Sequence, residues 1–524
     1  MIEPCQAGSG AIDTIRAYHE RTKHHLNGYA RGPEYLDWDS QPDPFRRFSS
    51  APLISLPLNP DPGGGVAAFD KAGISKLLEL SMGISAWKQY GPDRWALRCN
   101  PSSGNLHPTE AYLVSSGIAG LVDAIYHYAP REHALEQRAA IVGDESQSYC
   151  LLGLTSIAWR EAWKYGERAY RYVQLDVGHA LGAVRYAAAL LGWRVSLLSP
   201  GDTAIGDLLG LSREGDFKGA ESEQPDLLLQ IHAAGLERLD RLPEGRQWQG
   251  RANALGGEPY LKWPLIDEAH QACLEEHPDY TPSRTAPDPT TEGRAQLAQL
   301  IRQRRSAQAF IGKQSSLPIS QLEDFLAALM PQRGHPPWDL WPGTPHLHLV
   351  LFIHRVEGLT PGLYTLPRRS GLLPELASAL SETFQWQPTP ITSDELPLHR
   401  LAEGDMRGVA RTLACHQEIA SASSFSFCML AEFDRALERG ASAYRHLHWE
   451  AGLIGQAAYL EAERIGMRGT GIGCFFDDSV HLALGIEDTR WQTLYHFTVG
   501  FPQPDTRLQT LPPYANLVTA RPPE

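Results

Sequence analysis

A set of matched positions recurs along this chain at a fixed distance. Ala169-Tyr170-Arg171 returns as Ala443-Tyr444-Arg445, and Gly178, Ala188, Gly192 and Arg194 return as Gly452, Ala462, Gly466 and Arg468, all 274 residues later without a gap. Leu209-Gly210-Leu211 comes back as Leu484-Gly485-Ile486, one residue further on. Upstream, Gly120-Leu121 with Tyr126 is echoed by Gly358-Leu359 with Tyr364, and Ile74-Ser75 with Leu77 by Ile319-Ser320 with Leu322. Echoes that keep one order predict an internal duplication. The offset is larger downstream than upstream, which places an insertion in the second copy, in the Pro-rich region Leu373 to Gly408. A doubled domain can stand in for a two-fold homodimer. Gly178 and Gly182 in one repeated helix, and Gly452 and Gly455 in the other, are then expected where two helix backbones approach. Each glycine costs a helix about 1 kcal/mol of propensity, so the close approach has to return at least that much.

At 524 residues the chain has room for about two to four domains. Residues 1–69 read as a polar, proline-bearing extension, 70–235 as a first domain, 236–290 as a Pro/Gly/Arg-rich connector over the surface, and 291–524 as a second domain. A net charge of −14 argues against nucleic acid and against a basic membrane-binding face. No apolar run reaches the roughly 18 residues of a membrane helix. Met1 to Gly10 shows no secretory pattern, and seven cysteines without a C-x-x-C pair fit reduced thiols. The expectation is a cytoplasmic protein without structural zinc. His19, His24 and His25 lack acidic or cysteine partners in sequence, so residues 18–25 read as a solvated helix face.

Three stretches carry candidate chemistry. Pro101-Ser102-Ser103-Gly104-Asn105 is a turn rich in hydrogen-bonding groups, with Gly104 free to take positive φ, and the apolar Ala111 to Val114 beneath it. Arg304-Arg305-Ser306 offers guanidinium forks and a hydroxyl suited to a phosphate. Gly469-Thr470-Gly471-Ile472-Gly473 has three glycines in five positions, a composition that lets backbone amides turn toward a ligand as a concave donor site. Each of them has a bland alternative: a polar turn, a solvated helix end, a loop.

Together, in this order, they resemble the nitroreductase family of flavoproteins. The resemblance spans roughly residues 70 to 510 and implies an α+β fold, two tandem nitroreductase-like domains forming an intramolecular pseudo-dimer around long central helices. It implies FMN, with the Pro101 to Asn105 turn at the flavin ring and the Arg304-Arg305-Ser306 cluster on the phosphate. The loop Gly469 to Gly473 would donate a main-chain N–H to the ring, and Arg507, in the tail after Thr498-Val499-Gly500, would be a second phosphate ligand. Gln308 stands where the family motif has a further arginine. Lys164-Tyr165 resembles a Lys-Tyr dyad of the SagB-type branch, whose dehydrogenases aromatise azolines in peptides, and residues 18–24 also look like that branch. The dyad is thereby implied as catalytic.

The halves have lost complementary parts. Asn59-Pro60-Asp61 has no cation where the second unit has its arginines, and Val195 to Ser199 has no glycine. Trp341 to His346 replaces the Pro-Ser turn. One composite FMN site is expected. The activity implied is hydride transfer to FMN from an organic substrate, a small molecule or an azoline-bearing modified peptide. NAD(P)H-dependent reduction of nitro compounds or quinones, and a flavin- or peptide-binding partner without turnover, stay open beside it, as does further oligomerisation.

Overall fold

A computed structural model describes residues 7–58, 66–142, 148–198, 200–233, 239, 242–256, 262–275, 291–332, 334–341, 343–515 and 517. Two antiparallel sheets dominate. The first runs Glu244–Arg246, Ala134–Val142, Ala124–Ala129, Thr109–Ser116, Tyr149–Ser156, Gln224–His232, Arg194–Leu198, with Leu53–Ser55 also on Ala134–Val142. The second runs Gln387–Pro388, His399–Glu403, Gly362–Leu366, Leu347–Ile353, Phe425–Glu432, Trp491–Gly500, Arg468–Ile472. Six consecutive positions of the two orders correspond, strand for strand, in the same chain order. Thr109–Ser116, Tyr149–Ser156 and Trp491–Gly500 are buried along their whole length.

Between the sheets lie two helices, Ala169–Leu190 and Ala443–Arg464. They touch backbone to backbone. A Cβ on Gly178 would lie 2.3 Å from the Trp449 carbonyl oxygen and 2.9 Å from Gly452 Cα, and one on Gly452 would lie 2.8 Å from Gly178 Cα. The contact is self-complementary, as across a two-fold axis. The same reciprocity governs the charges. Arg171 pairs with Asp477 at 2.8 Å, and its repeat mate Arg445 pairs with Asp202 at 2.9 Å, both buried. Gly182 faces the flexible Gln456 side chain, and Gly455 faces the His179 ring.

Several expectations need correcting. The first central helix opens at Ala169, so the Lys164-Tyr165 dyad lies outside it. Ala158–Tyr165 is a separate helix, and Gly166 breaks the line at φ 57 because its Cα packs against the Arg31 carbonyl and Gly32, where a side chain has no room. The His-rich stretch is no solvated face. Helix Ala7–Arg21 plugs the seam between the units, burying Tyr18, His19, Thr22, Lys23 and His24. Its charges are met there: Lys23 pairs with Asp478 at 2.9 Å, and Arg168 donates to the Thr22 carbonyl at 2.6 Å. The connector also contributes structure, since Glu244–Arg246 extends the first sheet and Pro264–Ala272 buries Ile266, Ala269 and His270. Its other parts, 257–261 and 276–290, lie outside the described residues, as do Asn59, Pro60 and Asp61. The insertion falls in two places rather than one: between strands Gly362–Leu366 and His399–Glu403, and again before Phe425. Among the described residues, no helix is long and apolar enough to cross a membrane, and no His/Cys/Asp/Glu group could hold a metal.

Candidate functional site

A cleft of about 620 Å³ opens where the two units meet. That volume lies in the usual range for small-molecule sites. One wall is the first unit's turn, Pro101 to Asn105. Gly104 takes φ 61 as expected, and Asn105 and His107 also sit at positive φ. The turn is clamped from behind. Asn105 Nδ2 donates to the Ala96 carbonyl at 2.9 Å, the His107 amide to Ser102 Oγ at 2.8 Å, and the Ser103 amide to Asp176 Oδ1 at 3.2 Å.

The opposite wall is the second unit's Arg304-Arg305-Ser306. Ala307 N donates to the Gly469 carbonyl at 3.1 Å and Thr470 Oγ1 to the Ala307 carbonyl at 2.6 Å, fastening this segment to strand Arg468–Ile472. Arg304 is buried. Its Nε and Nη2 donate to the carbonyls of Cys99 and Arg98 at 3.2 and 3.0 Å, so it also ties the first unit's turn to the second unit. Burial pushes the Arg304 guanidinium down. Burial and the neighbouring Arg304 bring Arg305 to about 10. Lys88 is lowered by burial and by Arg305 and Arg468. These cations crowd one end of the cleft and destabilise one another, a strain that a bound anion relieves. Five buried polar atoms on cleft-lining residues have no partner among the described residues: Arg98 Nε, Arg304 Nη1, Asn100 Oδ1, His107 Nδ1 and His179 Nδ1. A polar, phosphate-bearing ligand fits this donor set.

Not every expected residue is here. Pro101, Ser102, Ser103, Gly104, Asn105, Arg304, Arg305, Ser306, Thr470 and Gly471 line the cleft, whereas Gly469, Ile472, Gly473 and Arg507 do not. Residues 469–473 do not form a concave amide site. Arg468–Ile472 is a regular strand paired with Trp491–Gly500, and none of its glycines has positive φ. The glycines instead make room for rings: a Cβ would meet Phe497 at 2.5 Å from Gly469, Tyr495 Oη at 1.8 Å from Gly471 and Tyr172 at 2.1 Å from Gly473. Ile472 faces the core on the far side of the sheet. The Arg507 guanidinium is chelated by Asp505 at 2.9 and 2.8 Å and is largely exposed, so Asp505, not Arg507, faces the cleft.

Lys164 and Tyr165 neither line the cleft nor point to bulk solvent. Both are half-buried behind the turn, where a Cβ on Gly104 would lie 2.7 Å from Tyr165 Oη and 3.2 Å from Lys164 Nζ. Burial, with Glu161 nearby, raises the Tyr165 phenol well above its ordinary value, so at neutral pH it donates rather than accepts a proton. Beside it is a pair of buried carboxyls that the sequence reading missed. Burial raises Asp176 to about 7. Burial and then Asp176 raise Glu161. His179, one turn along from Asp176, is lowered to about 3 by burial and Arg304, and its Nε2 meets Tyr495 Oη at 3.1 Å. No sequence signal marked either carboxyl, since Glu161 and Asp176 lie on different helices and only the fold buries them together behind the turn.

A second cavity has Leu197, Leu198, Trp341, Gly343, Arg445 and Trp449 in its walls. It holds only about 120 Å³.

The second unit belongs to a known class. Residues 301–501 match the Nitroreductase family and form a nitroreductase-family domain. More widely, the fold is that of a candidate nitroreductase of Anabaena variabilis, whose crystal structure superposes with a TM-score of 0.70 over 94% of this chain and 99% of that one at 24% identity. MJ1384 of Methanocaldococcus jannaschii, a candidate nitroreductase by name, is 26% identical over 116 residues, 20% of this chain. The match spans 59% of that relative's length.

Proposed function

We propose that this chain is an FMN-dependent oxidoreductase in which two nitroreductase-like units form a pseudo-dimer within one polypeptide around a single composite site. The observation that carries this reading is the cleft itself, where the first unit's Pro101 to Asn105 faces the second unit's Arg304, Arg305 and Thr470, with a buried guanidinium nitrogen unpaired between them. Arg304 and Arg305 would hold the phosphate, with Arg468 and Lys88 adding charge. Ser102, Ser103 and Asn105 from one side and Thr470 and Gly471 from the other would hold the ring. Bound there, FMN supplies a ring that accepts or gives up a hydride. The chain's own contribution is to orient that ring and to manage a proton. Asp176 and Glu161 hold one near neutrality directly behind Ser102 and Ser103, and the Tyr165 hydroxyl stands at Gly104, one peptide from the cleft.

Lys164 and Tyr165 at the back of the turn favour the SagB-type dehydrogenase form of this activity, with an azoline-bearing peptide or small molecule as hydride donor. Anaerobic mixing separates it from the NAD(P)H-dependent nitro or quinone reductase. Bleaching of the flavin by a thiazoline or oxazoline model compound, with no response to NAD(P)H, supports the dehydrogenase; rapid bleaching by NAD(P)H alone overturns it. A protein that carries FMN and responds to neither is a binding partner without turnover.

A further inference from the structure

Away from the cleft, two cysteines 59 positions apart in sequence meet thiol to thiol. Cys474 Sγ lies 2.8 Å from Cys415 Sγ, and both residues are half-buried. Cys474 lies two residues past the end of strand Arg468–Ile472, whose Thr470 and Gly471 line the cleft. Cys415 sits in the inserted segment before strand Phe425–Glu432, so the second unit's insertion is what delivers it. Backbone strain holds it there: Cys415 and His416 are consecutive non-glycine residues at φ 52 and φ 60. Left-handed backbone is strained for an ordinary residue and persists only where the surroundings impose it.

The surroundings favour one thiolate. The Ala30 amide donates to His24 Nδ1 at 2.9 Å, which leaves the proton of a neutral imidazole on Nε2. His24 neighbours Cys474 and lowers it, and burial keeps His24 itself below its usual value and therefore neutral. Arg168 adds charge, with Nη2 on the Gly473 carbonyl at 3.2 Å and its guanidinium over the Phe475 ring. Hydrogen bonding from the Cys415 thiol, then the neighbouring His24, holds Cys474 well below an ordinary thiol, while the same thiol contact pushes Cys415 up. The exposed Tyr29 and His416 border the pair, which gives a small reagent access.

The geometry points to Cys415 and Cys474 as a redox-active dithiol that exchanges with low-molecular-weight disulfides, Cys474 as the attacking sulfur and Cys415 as the resolving one. The Cys474 thiolate attacks one sulfur of a disulfide RS–SR, forming Cys474–S–SR and releasing RS⁻. With the Cys474 anion gone, the Cys415 thiol loses the neighbour that held its proton, gives that proton to solvent and attacks Cys474 Sγ, displacing the second RS⁻. The two protein thiols are oxidised by two electrons, RS–SR is reduced to two thiols, and a Cys415–Cys474 bond ties the inserted segment to the end of the cleft strand.

The test uses the full chain, reduced, freed of reductant and then incubated with glutathione disulfide. Fragmentation-resolved peptide mapping is expected to find Cys415 joined to Cys474, reversibly with dithiothreitol. Cys415→Ser is expected to accumulate glutathione at Cys474, and Cys474→Ser to leave Cys415 unmodified. Persistence of both free thiols in the wild-type chain overturns the assignment. So does glutathione settling on Cys415 of Cys474→Ser with Cys474 of Cys415→Ser untouched, which would invert the roles. The wild-type linkage decides the pairing even if a variant fails to fold.

Discussion

Arg304 does two jobs, and substitution should expose both. Removing a charge-assisted contact to a phosphate costs on the order of 1.5–3 kcal/mol, so Arg304→Ala should weaken FMN binding by roughly 10–150-fold by flavin titration. It also frees two buried carbonyls, at Arg98 and Cys99, so thermal stability should fall even without flavin. Arg507→Ala, which breaks only an exposed pair with Asp505, should change affinity by about two-fold at most. For the dyad, Lys164→Ala and Tyr165→Phe should keep normal flavin content while slowing flavin reduction by the true substrate by about 10²–10⁴-fold, the usual contribution of a proton-managing group. Asp176 makes a pH prediction. Its folded-state value, about 7, lies above the ordinary 3.8, so between those values the folded chain holds a proton that the unfolded chain has lost. Its contribution to stability is complete at acid pH and declines as pH rises toward 7. Asp176→Asn should flatten that part of the wild-type profile, and the wild-type-minus-variant difference in denaturant unfolding should change by on the order of 2–4 kcal/mol between pH 4 and 8. These residues differed in legibility. Arg304 and the Pro101 turn could be read from sequence because their chemistry is local. Asp176 and Glu161 could not, since what perturbs them is burial against a turn some 60–70 residues away.

At the scale of elements, glycine was read in two ways and only one survived. In the central helices the absence of a side chain permits the close approach of Gly178 and Gly452, as their matched positions in the sequence led one to expect. In Arg468–Ile472 the glycines suggested freed amides, yet they make space for Phe497, Tyr495 and Tyr172. Composition alone does not distinguish a glycine kept for φ from one kept for a neighbour's ring. The helix reading has a sharp test. A methyl at Gly178 meets backbone on the other helix at 2.3 Å, which cannot yield, while one at Gly182 meets the Gln456 side chain at 2.9 Å, which can swing away. Against a propensity gain of about 1 kcal/mol, overpacking of this kind costs about 1–3 kcal/mol or more. Gly178→Ala should therefore be clearly destabilising in urea unfolding and Gly182→Ala near neutral. Equal effects would mean that the glycines serve local packing only.

Across the whole molecule, the matched residues of the sequence fall on two sheets whose strand orders correspond over six positions. The N-terminal stretch was misread because its partners come from elsewhere: Asp478, from the far end of the chain, meets the buried Lys23, and Arg168 donates to the Thr22 carbonyl. The account stands on asymmetry. One cleft holds about 620 Å³ and carries the cationic end; the second cavity holds about 120 Å³, below the range for a cofactor site, and is lined by the Arg445–Asp202 pair. Flavin stoichiometry tests this most directly. The protein is saturated with FMN, freed of unbound flavin and measured for flavin absorbance against protein concentration. The account predicts one FMN per chain, and a ratio of two would contradict it.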